Sequence, residues 1–355
     1  MEALSQSYPL APTQLPDASN LHVLALINPS SSRNKLASKQ FDAMVNLGYA
    51  SQDDYLLTAK NYGETADSLY DKLACGSSSY NVVVSLTGDG GSSKAAAAIY
   101  SSNDPRVHLT PIVFGNCGGE NDGHNMTQKT GRHEDYTRDL PYQPVIAVPP
   151  MDIIIKRELQ KDQHLTALFY AGVGLSGRLS HFMNQPGHRT NKLVGTRFGQ
   201  RIAEHITGLR SFATTTRFYG ERSDNASPRK TAEWLLINGS RMAGCNIFPG
   251  SLTEPNFYEI VARSRTELAR FAISLALDNN NPMTAVTSSS LYVAPANYEQ
   301  PLYMHVDGEE VIIAHPRSPK SEAMTRITVS TAPKRLYVAA PALASNATPK
   351  LQRLA

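Results

Sequence analysis

An apolar run, Val82-Val83-Val84-Ser85-Leu86, empties into Thr87-Gly88-Asp89-Gly90-Gly91 and then into an alanine-rich stretch that begins Ser92-Ser93-Lys94. A strand, a glycine turn and a helix start in that order suit phosphate chemistry. Glycines let the backbone approach phosphate oxygens closely, and the first N–H groups of the helix, with its dipole, favour negative charge. Asp89 is the odd member of the turn. A carboxylate beside polyphosphate is repelled unless it holds a cation or accepts a proton, so Asp89 points to Mg²⁺ handling or general-base work. The same residues also make an ordinary turn after a strand, and the stretch by itself leaves both readings open.

Two more segments follow the same logic. Val107-His108-Leu109-Thr110-Pro111-Ile112-Val113-Phe114 runs into Gly115-Asn116-Cys117-Gly118-Gly119-Glu120-Asn121-Asp122-Gly123, and earlier Val23-Leu24-Ala25-Leu26-Ile27 runs into Asn28-Pro29-Ser30-Ser31-Ser32-Arg33-Asn34. Consecutive strands of a parallel sheet bring their carboxyl ends to one crevice, where such turns meet. Asn, Pro and Ser are turn formers in their own right, so the earliest segment also reads as a capped turn.

These three loops, in this order, resemble the diacylglycerol kinase catalytic superfamily, and within it the sphingosine (long-chain base) kinase branch most closely. The matching residues are Asn28-Pro29-Ser30, Thr87-Gly88-Asp89-Gly90 and Cys117-Gly118-Gly119-Glu120-Asn121. Further matches are Ile237-Asn238-Gly239 before Gly244 and Pro249-Gly250, and Val306-Asp307-Gly308-Glu309 near the end, so that the resemblance spans roughly residues 20–335. It implies an α/β, doubly wound nucleotide-binding domain followed by a β-sandwich-like α+β domain. It further implies an active site in the cleft between them and last strands that return to the first domain. ATP and Mg²⁺ are the implied cofactors, and a lipid hydroxyl of sphingoid or diacylglycerol type, or a small-molecule hydroxyl, is the implied acceptor.

Roles follow from the same resemblance. Asp89 is the expected base or metal organiser, with Glu309 as the competing catalytic residue. Asn28, Pro29, Ser30, Thr58, Thr87, Gly88, Gly90, Gly118, Gly119, Glu120, Asn121 and Gly308 would line the nucleotide, and Lys192 and Arg197 would neutralise its triphosphate. Thr58 enters because Leu57-Thr58-Ala59-Lys60 resembles the family's Thr-containing strand end. The chain also departs from the pattern. Lys94 stands where the family generally carries Glu, Gly119 replaces a small hydroxyl residue, Glu120 replaces Gly or Ala, and Glu254-Pro255 replaces Asp-Gly. Where sphingosine kinases use an Asp to read the substrate head, this chain offers Arg178 and His181, so a cationic sphingoid head would lose its partner. Two alternatives therefore stay open: a catalytically impaired relative that binds nucleotide or lipid, and a kinase or other transferase acting on a non-lipid small molecule.

With 355 residues and 41% hydrophobic content the chain can bury a substantial core. A formal net charge of +3 argues against nucleic acid as a partner, although Arg178, His181, His188, Arg189, Lys192, Arg197 and Arg201 are locally basic and suit phosphate or an anionic membrane. Three cysteines without metal-ligand spacing fit a reducing compartment. No signal peptide or bilayer-spanning run is read, so the expected location is cytoplasmic, with peripheral membrane contact left open.

The elements that must position these residues change character along the chain. Apolar runs alternate with helical stretches at Ser38–Leu47, Gly63–Leu73 and Ser92–Tyr100, the βαβ signature. From about residue 145 the chain turns β-rich: Val145–Val148, Met151–Lys156, Thr166–Ala171, Trp234–Asn238, Phe257–Arg263, Ala285–Ala294 and Tyr303–Ile313 read as strands, and Thr190–Leu209 and Arg265–Leu277 as helices. The expected division is a disordered tail at 1–20, the nucleotide-binding domain at 20–144 and a β-rich substrate domain at 145–315. Returning strands at 316–345, with Arg326–Val329 and Arg335–Val338 as candidates, and a tail at 346–355 complete it. Asp307-Gly308 also reads as a tight hairpin turn.

Overall fold

The structure, a computed structural model, describes residues 11–31, 33–58, 62–76, 79–117, 122–128, 137–157, 160–184, 218–222, 229–231, 233–238, 241–242, 245–246, 252, 256–260, 284–286, 290–295, 301–307, 309–314 and 325–344. The chain forms two units, Met1–Pro149 with Pro333–Ala355, and Pro150–Ala332.

In the first unit β1 (Val23–Ile27), α1 (Asn34–Asn46), β2 (Tyr55–Leu57), α2 (Tyr62–Tyr70), β3 (Val82–Leu86), α3 (Asp89–Ser101), α4 (Pro105–His108), β4 (Ile112–Phe114), α5 (Asp122–Thr127) and β5 (Val145–Val148) follow in turn. Its six-stranded sheet runs β2-β1-β3-β4, then the strand Leu336–Ala339, then β5. All neighbours are parallel except β5, which pairs antiparallel with Leu336–Ala339. Every residue of β1, β3 and β4 is buried, which is why these strands are continuous apolar runs rather than alternating ones. Phe41, Met44 and Ala37 of α1 pack with Val23, Ala25, Val82 and Val84 in one core.

The expected tail at 1–20 is corrected from residue 11 onward. Leu15 is fully buried in that core, its N–H donates to the Gln143 carbonyl at 2.8 Å, and the Val145 N–H donates to the Thr13 carbonyl at 2.9 Å. An apolar side chain and two satisfied backbone groups tie the segment down.

The second unit contains β6 (Met151–Arg157), β7 (Gln160–Ala167), β8 (Tyr170–Gly174), α6 (Leu175–Asn184), β9 (Phe218–Arg222), β10 (Arg229–Thr231), β11 (Glu233–Ile237), β12 (Arg241–Met242), β13 (Cys245–Asn246), β14 (Asn256–Ile260), β15 (Thr284–Val286), β16 (Ser290–Pro295), β17 (Leu302–Val306), β18 (Glu309–Ala314) and β19 (Thr325–Thr331). Two six-stranded antiparallel sheets, β10-β9-β16-β19-β6-β7 and β15-β14-β11-β8-β17-β18, share one apolar cluster. Ile153, Ile155, Ile327 and Val329 of the first sheet and Val173, Leu236, Met304 and Ile313 of the second belong to it, the packing of a sandwich. The chain then returns to the first unit through β20 (Leu336–Ala339) and α7 (Pro341–Ala344).

Several expected elements differ. Thr166–Ala171 is not one strand: β7 ends at Ala167 and β8 begins at Tyr170, with a buried turn at Leu168-Phe169. Ala285–Ala294 is divided between β15 and β16, which lie in different sheets. Arg326–Val329 does not return to the first sheet; β19 lies between β16 and β6. Helix α6, which follows β8 directly and carries Gly177, has no counterpart among the expected elements. Thr190–Leu209 and Arg265–Leu277 fall outside the described residues. Among the described residues, no helix is long and apolar enough to cross a membrane.

Candidate functional site

In the first unit the carboxyl ends of β1, β3 and β4 lead into the three loops singled out by sequence. After β1, Asn28 Oδ1 accepts the Ser30 N–H at 2.9 Å and the Asn28 carbonyl accepts the Ser31 N–H, a self-capped turn that makes Pro29 and Ser30 exposed. Ser31 Oγ donates to the Cys117 carbonyl at 2.6 Å and Arg33 Nη1 donates to Asn116 Oδ1 at 3.1 Å, so the first loop is stitched to the third. Thr58 is joined to the same end of the sheet, its N–H donating to the Ile27 carbonyl at 2.9 Å. Arg33 is a cation on these loops that the sequence reading passed over; an Arg after a turn is too common to stand out.

Helix α3 starts at the second loop with Asp89 as its first residue and Gly88 as its N-cap, and no side chain caps it. With no side-chain cap among the described residues, its first-turn N–H groups can serve an external acceptor. Thr87 faces inward and is buried. Its Oγ1 lies 2.8 Å from Ser85 Oγ, which lies 3.0 Å from Ser92 Oγ. A Cβ on Gly91 would stand 2.6 Å from Thr87 Oγ1, so this hydroxyl knot fits only beneath a glycine. Ser93 Oγ, one residue further, is buried without a hydrogen-bond partner among the described residues. Lys94 follows, part-buried, one turn into the helix. Cys117 is an inert member of the third loop: burial pushes its thiol up to about 12, and Sγ donates to Gln40 Oε1 at 3.1 Å. Asp122, the first residue of α5, is a second carboxylate at a helix start on these loops. Gly118, Gly119, Glu120 and Asn121 lie outside the described residues, as do Lys192, Arg197 and Gly308.

The second unit holds the other candidates. Asp307 sits at the corner between β17 and β18 with a φ of +46°, in the left-handed region that Asp tolerates. It is buried, and its carboxylate accepts the N–H groups of Leu168, Phe169 and Tyr170 at 2.6, 2.9 and 2.9 Å. The receiving turn is held a second time by Asn238, whose Nδ2 donates to the Leu168 carbonyl at 3.0 Å and whose N–H donates to the Phe169 carbonyl at 2.7 Å. Glu309 is exposed at the start of β18.

Arg178 and His181 both lie on α6. His181 Nδ1 is 2.9 Å from Glu310 Oε2, Nε2 is 3.3 Å from Tyr303 Oη, and its ring stacks on Tyr303 at 4.1 Å between centroids. The neutral tautomer with the proton on Nδ1 satisfies both partners. Burial lowers the Arg178 guanidinium and raises the Tyr303 phenol, Glu310 adding to the latter. Among the described residues no group of three or more His, Cys, Asp or Glu is placed to hold a metal ion.

No protein-family model matches the chain, and no curated protein matches it. Solved structures do. A diacylglycerol kinase from Bacillus anthracis str. Sterne is similar over 90% of this chain and 96% of its own, at 11% identity and a TM-score of 0.51. Two further structures from that organism, provisionally described as diacylglycerol kinases, are similar over 91% and 90% of this chain and 98% and 97% of their own. Both are 12% identical, with TM-scores of 0.54 and 0.55. The chain therefore has a diacylglycerol-kinase-like fold over nearly its whole length.

Proposed function

We propose that this protein is an ATP-dependent kinase that phosphorylates a hydroxyl group of a lipid or, failing that, of another small molecule. The observation that carries the reading is the uncapped N-terminus of α3 behind the Gly88–Gly91 turn, at the carboxyl end of a parallel sheet. The fold similarity supports it. Phosphate oxygens would take the free N–H groups of α3, with the Asn28–Ser30 turn alongside and Arg33 as a local cation. Thr87 would act from beneath, holding the turn rather than touching nucleotide. A nucleotide-borne Mg²⁺ needs only one or two protein carboxylates, and Asp89, with Asp122 at the start of α5, would be the candidates. When bound, such an ion neutralises charge on the transferred phosphoryl group. Asp89 would then orient that complex or take the proton of the attacking hydroxyl, with Glu309 as the alternative base. The acceptor head would be neutral or anionic, since Arg178 and His181 stand where a sphingoid-reading Asp is expected. The reaction would take place in the cytoplasm at a membrane surface.

A nucleotide- or lipid-binding relative without turnover is favoured by one feature, Lys94 where the resembled family carries Glu. Calorimetric titration with Mg²⁺–ATP, followed by transfer of labelled phosphate to lipid acceptors, separates the two. Micromolar binding with transfer, and a loss of roughly 10²- to 10⁴-fold in Asp89→Asn, is the expected result. Binding without transfer to any acceptor would support the second reading; absence of nucleotide binding would remove the kinase reading and leave only the lipid-binding form of the second.

A further inference from the structure

Glu309 is exposed, yet each of its described neighbours is anchored to a different element. We propose that Asp307 and the Glu310–His181 pair are positioning residues that fix the backbone at Glu309 and aim its carboxylate; the proposal rests on the reading of Glu309 as an acid–base residue. On one side, Asp307 ties the hairpin corner to the β7–β8 turn through three backbone N–H groups, and its own N–H donates to the Tyr170 carbonyl at 2.9 Å. Charge-assisted bonds of this kind to a buried carboxylate are strong and leave little angular freedom.

On the other side, strand alternation turns Glu310 toward the face on which His305 and Tyr303 lie, and there His181 of α6 holds it at 2.9 Å. The helix is itself seated: a Cβ on Gly177 would fall on the Tyr303 carbonyl, so α6 and β17 are in backbone contact beside the His181–Tyr303 stack. A carboxylate at a hairpin tip ordinarily samples many directions; here Asp307 and Glu310, the nearest described residues before and after it, are bound to the β7–β8 turn and to α6. Such preorganisation is what proton transfer requires, because misplacement by about 1 Å can cost on the order of 10²-fold in rate.

The test combines a spectroscopic and a kinetic arm. A nitroxide on Glu309→Cys, in a background with Cys75→Ser and Cys245→Ser, reports local order by electron paramagnetic resonance without any activity. His181→Phe keeps the ring stack on Tyr303 but removes both nitrogen partners; a thermal melt establishes that it folds. The expected result is a broad, immobilised spectrum that sharpens in His181→Phe and largely recovers its breadth when Glu310→Gln is examined in place of His181→Phe. In the unlabelled protein, His181→Phe should lower kcat on the order of tenfold at unchanged KM for ATP and cause no further loss on top of Glu309→Gln. An unchanged spectrum, or losses that add in the double variant, overturns the proposal. If the wild type transfers no phosphoryl group, the kinase reading falls and the spectroscopic arm alone decides whether the anchor exists.

Discussion

Stacked on Tyr170 with its Nδ1 shielded from solvent, the His305 imidazole is pushed down to about 4 by burial, with Glu309 acting in the opposite direction. The unfolded chain, with an ordinary value near 6.5, then binds the extra proton first. Stability is therefore full above about pH 6.5 and is lost as pH falls toward 4, by roughly 3 kcal/mol in all. Urea unfolding at pH 7 and pH 4.5 should show that loss, and His305→Phe should remove most of it; the same slope in both proteins would place the acid lability elsewhere. Individual residues were unequally legible. The place of Asp89 at a helix start could be read from the strand, glycine turn and alanine-rich stretch in succession. Asp307 was legible as a turn residue, but its work on Leu168, Phe169 and Tyr170 was not, since those partners are 137 to 139 positions away.

Strands β1 and β3 were legible because a strand buried on both faces must be apolar throughout, and a short run of Val, Leu and Ile bounded by turn residues is hard to read otherwise. The turn between β7 and β8 was not. Leu168 and Phe169 carry no turn chemistry, and their N–H groups are satisfied by a distant carboxylate instead of by Gly, Asn or Pro in place. Helix α6 escaped notice for a related reason: Gly177 looks like a breaker, whereas its missing side chain is what lets the helix lie on β17. The glycine turn before α3 makes the element-scale prediction. Gly91→Ala sets a methyl against Thr87 Oγ1, which the Ser85–Ser92 hydroxyl knot holds in place, and overpacking of this sort costs about 1–3 kcal/mol. Chemical denaturation should register it, and Thr87→Ser, which removes one of the crowding atoms, should restore part of the loss; no loss in Gly91→Ala would mean that the knot yields freely.

Each unit has its own apolar core, so ligand binding to the loops of the first should stabilise that unit. Mg²⁺–ATP at about a hundred times its Kd adds about 2.7 kcal/mol to the unfolding free energy, and scanning calorimetry should show the corresponding upward shift. No shift at millimolar nucleotide would argue against a nucleotide site on these loops. By itself the sequence determined that a βα-alternating half carries glycine turns suited to phosphate and that a strand-rich half follows. Apolar periodicity and turn chemistry are written in contiguous residues, which is why both were readable. Only the tertiary structure decided that β19 stays with the second unit while β20 crosses to the parallel sheet, that residue 15 belongs to a core, and that His181 meets Glu310. Strand partners and buried polar pairs are chosen among residues more than a hundred positions apart, by packing and by the need to satisfy every buried N–H, and no local pattern encodes that choice.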